Sequence, residues 1–198
     1  KAQGNVPGAV QETIADAHRS TFDWRTLLRL YMTDAAASDY SWSVPNRRFI
    51  DSGLYLPSIR SEGMNALAVI IDTSGSVDTD MLAQFWSEIR ELAAEINPER
   101  VILLQVDAAL QDEQEYAPED LPERIDVKGR WGTDFRPGFS HLEEAEIQPA
   151  VCLYFTDMEC DRYPETEPPY PVIWCDYGDG DGFAAQPPPW GERIRIAD

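Results

Sequence analysis

The chain has 198 residues, of which 43% are hydrophobic, and its 36 acidic against 16 basic side chains give a formal net charge of −20. That length and apolar content suit one domain with a real core plus an appended segment, and so acidic a surface excludes nucleic-acid binding, which needs a basic footprint. It remains compatible with cations and with basic partners. No stretch approaches the ~20 uninterrupted apolar residues of a membrane span, and no secretory leader pattern opens the chain. The three cysteines, Cys152, Cys160 and Cys175, form no close pairing motif, so no disulfide framework and a cytoplasmic setting are expected. Cys152 and Cys175 fall in apolar runs and read as small buried hydrophobes, while Cys160 is expected to be more exposed.

Residues 1 to about 20 are polar and weakly helical in pattern. Thr21 to Met32 place Trp24, Leu27, Leu28 and Tyr31 at three- and four-residue spacing, which predicts an amphipathic helix. Asp39 to Arg60 mix aromatics with Pro45 and Pro57, as an extended segment laid on a protein body does. Residues 1–60 thus read as an N-terminal extension and 61–198 as the main domain.

From residue 65 the chain alternates apolar runs with helical stretches, the signature of a largely parallel sheet. The predicted order is a strand at 66–72, a helix at 78–96 stopped by Asn97-Pro98, and a strand at 101–107. A polar edge strand is predicted at 111–116, a short strand at 125–127 and a helix at 137–146. Strands at 151–156, 171–175 and 193–196 complete the sheet, and the Gly-, Asp- and Pro-rich stretch 176–189 is a loop. The expected fold is a Rossmann-like three-layer α/β domain. Trp24, Trp42, Trp86, Trp174 and Trp190 read as packing residues.

Chemistry concentrates at Asp72-Thr73-Ser74-Gly75-Ser76, where the first strand hands over to a helix. Open α/β sheets bind ligands at that carboxyl edge. One carboxylate, two hydroxyls and a turn glycine form a hard, oxygen-rich set suited to Mg²⁺, Mn²⁺ or Ca²⁺. Read locally, Ser74 or Ser76 is equally a helix N-cap. Two later segments add donors: Thr133 on the loop Gly129-Arg130-Trp131-Gly132, and Asp157 after the run Val151 to Thr156. Asp107 also ends a buried strand and reads as a loop or cap acceptor rather than a ligand. Asp134 reads as a cap of the following turn, and Arg130 and Arg136 as structural pairing partners of acids.

Asp72, Ser74, Ser76, Thr133 and Asp157, in that order, match the metal-ion-dependent adhesion site of von Willebrand factor A (VWA) domains, which the chain resembles from about residue 65 to the end. Pro45-Asn46-Arg47-Arg48-Phe49, Gly53-Leu54-Tyr55-Leu56-Pro57, Thr133-Asp134-Phe135-Arg136-Pro137 and Pro188-Pro189-Trp190-Gly191 narrow the resemblance. They are similar to the C-terminal VWA-like part of a bacterial family of undefined function whose proteins carry an upstream metallopeptidase-like region. The resemblance implies that Asp72, Ser74 and Ser76 hold a divalent metal, with Asp157 on a metal-bound water and Thr133 joining when ligand binds. Many members have Gly-Gly-Thr where this chain has Trp131-Gly132-Thr133, so Trp131 either caps the site or is buried and shifts the loop.

The family's His-Glu-x-x-His helix is absent, and His18 and His141 are the only histidines, so any peptidase activity is expected upstream of this chain. The function implied is a metal-dependent protein-binding module, whose ion accepts a partner Asp or Glu carboxylate. A MoxR-type AAA+ ATPase is the partner class the resemblance suggests. The alternatives are a metal-assisted phosphoesterase, which lacks a nearby His or Lys base here, and a degenerate VWA scaffold without metal.

Overall fold

The computed structural model describes residues 24–38, 65–75, 79–178 and 186–196. The expected helical pattern before residue 21, the extended segment 39–60, Trp42 and Ser76 lie outside the described residues. The described elements are α1 (Trp24–Ser38), β1 (Ala66–Asp72), α2 (Thr79–Ile96), β2 (Arg100–Val106), β3 (Leu110–Tyr116), a 3₁₀ turn at Pro118–Asp120, α3 (Arg136–Glu144), β4 (Val151–Thr156), β5 (Val172–Asp176) and β6 (Glu192–Arg195).

The six strands form one sheet in the order β3-β2-β1-β4-β5-β6. Every pairing is parallel except that of β2 with β3, which is antiparallel at the edge. The alternating polar pattern of β3 follows from that place, since an edge strand keeps one face in water. Strands β1, β2, β4 and β5 are covered on both faces, which explains their unbroken apolar runs.

Alternate residues of these strands feed two cores. Leu67, Val69, Ile71, Leu103, Leu153 and Phe155 join the core beneath α1 and α2. Ala68, Ile70, Leu104, Tyr154 and Trp174 join the core beneath α3. Helix α2 forms because Phe85, Trp86, Ile89, Leu92 and Ala93 recur at helical spacing and all face inward. Each large apolar side chain so buried contributes about 1.5–3 kcal/mol. Asn97, in the left-handed conformation at φ 52°, ends the helix, and its N–H donates to the Ala93 carbonyl at 2.9 Å. Helix α1 packs on α2 through Trp24, Leu28, Tyr31 and Met32. Arg25 and Arg29 of α1 reach the buried Glu88 of α2, each at 3.6 Å.

The strand expected at 125–127 does not form. A side chain takes the place of a ladder partner there. The Gln105 amide donates to the Asp126 carbonyl at 3.0 Å and accepts from the Lys128 N–H at 2.7 Å. A buried glutamine thus satisfies two backbone groups that a neighbouring strand otherwise would. Replacing it by leucine keeps the volume and strands both groups. Gln105→Leu is expected to cost about 1–3 kcal/mol, read as a lower urea midpoint with an unchanged m-value.

Candidate metal centre

Chain order in the sheet reverses at β1, which has β2 on one side and β4 on the other. Such a switch point leaves a crevice beyond the carboxyl ends of the strands. Asp72 is the last residue of β1 and is 1% exposed. Its Oδ1 accepts the Ser74 N–H at 2.9 Å, and its Oδ2 accepts the Thr156 hydroxyl at 3.0 Å. The register pairs Ile71 with Phe155, so Thr156 stands level with Asp72 on the adjacent strand. The Thr156 hydroxyl also accepts the Met158 N–H at 3.0 Å, which fixes its rotamer. Asp157 follows at once, buried, with Oδ1 accepting the Glu159 N–H at 3.0 Å.

Burial pushes the Asp72 carboxyl up, to about 6. The hydrogen bonds from Ser74 oppose that rise, and the Asp157 charge adds to it. The prominent charged neighbour of Asp72 is therefore another acid. Buried charges are ordinarily paired with an opposite charge or a metal.

The Thr133 loop lies against the same turn. Gly129 approaches so closely that a Cβ there would sit 2.7 Å from both the Thr73 Oγ1 and the Asp107 Oδ2. A Cβ on Gly75 would meet the Arg130 carbonyl at 3.8 Å. The clamp is Asp107, buried at the exit of β2. Its Oδ2 accepts the N–H groups of Arg130 and Trp131 at 3.3 and 3.2 Å, and its Oδ1 accepts from Ala109 N and the Gln111 amide at 3.0 and 2.8 Å. Its backbone carbonyl accepts the Asp134 N–H at 2.9 Å. Asp107 is thus a loop acceptor, as its sequence position suggests, and it holds the segment that carries Thr133. That segment is strained, with Arg130 at φ 117° between two glycines of positive φ. Trp131 is 80% exposed at the loop tip and is not buried beneath it.

The remaining polar groups mostly brace the rim. Asp134 Oδ1 accepts the Arg136 N–H at 3.0 Å, capping the start of α3, and its carboxylate pairs with the Arg136 guanidinium at 2.6 Å. Partial burial pushes Asp134 up, and the Arg136 contacts outweigh it and hold the carboxyl below its ordinary value. Arg136 is therefore a structural partner, whereas Arg130 makes no ion pair with a described residue. Cys160 corrects the expectation of exposure. It is 6% exposed and its thiol donates to the Thr133 carbonyl at 3.3 Å, giving it a place under the loop. Cys152 and Cys175 are buried and free, as their apolar neighbours predict.

Of the five expected ligands, Asp72, Ser74, Thr133 and Asp157 are described: Asp72 and Asp157 stand at the carboxyl ends of the adjacent strands β1 and β4, Ser74 on the turn after β1, and Thr133 on the loop packed against that turn. Ser76 lies outside the described residues, as does the start of the turn into α2. Two residues carry weight there that the sequence reading passed over. Thr156 holds Asp72 directly. Thr73 is fully buried beside the loop glycine, with a hydroxyl that finds no hydrogen-bond partner among the described residues. The Thr-Asp ending of an apolar run was the one signal for Thr156, and nothing local marked Thr73.

A family profile described as a VWA-like domain matches residues 67–197. The chain belongs to that VWA-like domain family. A second profile, described as "Putative metallopeptidase domain", matches residues 1–60. An uncharacterized protein of Thermotoga maritima is 29% identical over 156 residues, which is 78% of this chain and 38% of that relative. The chain therefore spans well under half of the relative's length. Among the described residues no helix is long and apolar enough to cross a membrane.

The donor chemistry fits a hard divalent cation better than a soft one. Among the described residues no group of three or more His, Cys, Asp or Glu side chains converges. Two buried carboxylates with neighbouring hydroxyls make a sparse oxygen set, which Mg²⁺ accepts because it keeps several waters.

The raised carboxyl of Asp72 sets a pH dependence for the metal-free protein. Between about pH 4 and 6 the folded chain holds a proton that the unfolded chain has lost, so stability falls as pH rises through that window and stays lower above it. The loss amounts to up to about 3 kcal/mol. Asp72→Asn is expected to flatten this slope in urea titrations with chelator present. A separate expectation concerns the loop: Gly129→Ala collides with Asp107 and Thr73 at φ 107°. It should cost about 1–3 kcal/mol by chemical denaturation.

Proposed function

We propose that the domain is a divalent-metal-dependent protein-binding module. The observation that carries this reading is the burial of Asp72 beside Asp157 at the switch point, with the Ser74 backbone and the Thr156 hydroxyl holding the carboxylate in place. Asp72, Ser74 and Ser76 would hold Mg²⁺ or Mn²⁺, with Asp157 and Thr133 acting on it directly or through water. Few charged ligands leave such an ion electrophilic, so a carboxylate from a partner Asp or Glu would complete its coordination. The net charge of −20 opposes a broadly acidic partner, so the recognised acid would lie in a neutral or basic setting.

On this reading the domain recognises and does not catalyse. No described His or Lys stands among the groups around Asp72, which disfavours the phosphoesterase alternative. The wider protein would act as an adaptor for an AAA+ ATPase, and any peptidase chemistry would belong to other parts of it. Exposed Trp131, beside Thr133, gives the partner an aromatic surface next to the ion.

Calorimetric titration of Mg²⁺ and Mn²⁺ into chelator-stripped protein tests the reading, alongside Asp72→Ala. The expected result is saturable binding by the wild type and none by the variant. A pull-down from bacterial extract should retain an ATPase in Mg²⁺ and lose it in chelator and in Asp72→Ala. If neither metal binds and no partner depends on Asp72, the reading is wrong and a metal-free scaffold takes its place.

A further inference from the structure

The edge of the sheet opposite the candidate metal centre carries a groove of about 560 Å³, within the range of ligand-binding sites. Its walls are the second half of α3, the turn at 146–148 that enters β4, and the segment 164–170 that enters β5. Entry into parallel strands places it at their amino ends, whereas Asp72 and Asp157 lie at the carboxyl ends.

The floor is apolar, built from Phe139, Leu142 and Tyr170. Pro168 and Pro169 form one side. Proline has no N–H, so this wall offers no donors to an added strand and recognition there must run through side chains. It is also rigid, which lowers the entropy cost of docking. Glu143, Glu146 and Glu167 line the groove, all three are exposed, and no Lys or Arg lines it. Glu146 holds φ 54°, where glycine is conformationally cheaper, and the Ile147 N–H closes the helix end onto the Leu142 carbonyl at 2.8 Å. The backbone of Glu146 thus holds a conformation that favours glycine, at a position lining the groove.

We propose that this groove binds a partner polypeptide segment in which an apolar side chain is flanked by lysine or arginine. The apolar side chain fills the floor, and the flanking cations meet the glutamates at the mouth. The exposure of those glutamates favours a polypeptide over a small amine. A buried ammonium needs a buried, hydrogen-bonded acid, whereas long Lys and Arg side chains reach a solvated rim while their stems cover apolar surface.

Fluorescence anisotropy with a short labelled peptide, carrying Phe and Leu between arginines, tests the proposal near physiological ionic strength. Thr166→Trp narrows the groove without changing charge, and Glu143→Gln with Glu146→Gln removes charge without changing volume. Each is expected to weaken binding by about tenfold or more, while Asp72→Ala binds as the wild type does. Circular dichroism of each variant confirms that it folds. Equal binding by the wild type and Thr166→Trp would assign the affinity to general attraction by an acidic surface and overturn the proposal. So would the absence of saturable binding. Self-association of the wild type that Thr166→Trp abolishes would hand the groove to a second copy of the chain and overturn it as well.

Discussion

A carboxylate taken out of water at the end of a central strand is the constraint around which this domain is arranged. Asp72 is brought there by β1, whose residues are buried on both faces, and is itself 1% exposed. Its oxygens are met by a backbone N–H from its own turn and a hydroxyl from the neighbouring strand. Hydrogen bonds of that kind hold a carboxylate in position without cancelling its charge. The adjacent Asp157 adds to the charge instead of compensating it. A buried acid beside another is relieved either by holding a proton, as the raised Asp72 carboxyl does, or by an opposite charge, and the proposed cation would supply the second.

Acids at three strand ends meet different fates, and the contrast separates binding from bracing. Asp107, after β2, accepts from three backbone N–H groups and one side-chain amide, and so stitches two loops together. Asp176, ending β5, is fully buried and paired with Arg193 at 2.7 Å, while its second oxygen takes the Gly178 N–H at 2.8 Å. Arg195 stands 3.8 Å away as a further counter-charge. Asp72 is held by hydrogen bonds from Ser74 and Thr156, and its near charge is of like sign. The residue type is the same in each case; the partners decide the role.

The loop bearing Thr133 owes its place to tertiary contacts rather than to its own sequence. Asp107 pulls its backbone toward β2, Gly129 allows the approach to Thr73, and Cys160 hydrogen-bonds the Thr133 carbonyl from the far side. Gly129 and Gly132 take positive φ freely, and Arg130 at φ 117° carries the strain of reaching that position. Trp131 is left at the tip facing water because the clamp acts on its backbone and its side chain has no core to enter. At the other edge of the sheet the prolines and glutamates around α3 form a surface of different chemistry, so the domain has two faces with separate preferences.

The sequence by itself determined the α/β class, the parallel strands, the two cores and the place of Asp72. Those rest on periodicity and on unbroken apolar runs such as 66–71 and 101–104, which record burial directly. The positions of Asp72 and Asp157 at one edge were legible because parallel strands deliver their carboxyl ends there, whereas the grouping of Asp72, Ser74, Ser76, Thr133 and Asp157 rested on the family resemblance. Tertiary structure alone decided which groups surround that carboxylate. Thr156 is eighty-four positions from Asp72 in the chain and level with it in the sheet. The failure of 125–127 to become a strand turned on one glutamine side chain, and the burial of Cys160 on the loop above it. Local sequence encodes which face is apolar; it does not encode which distant hydrogen-bond partner arrives there, because that depends on strand order and register fixed by the whole core.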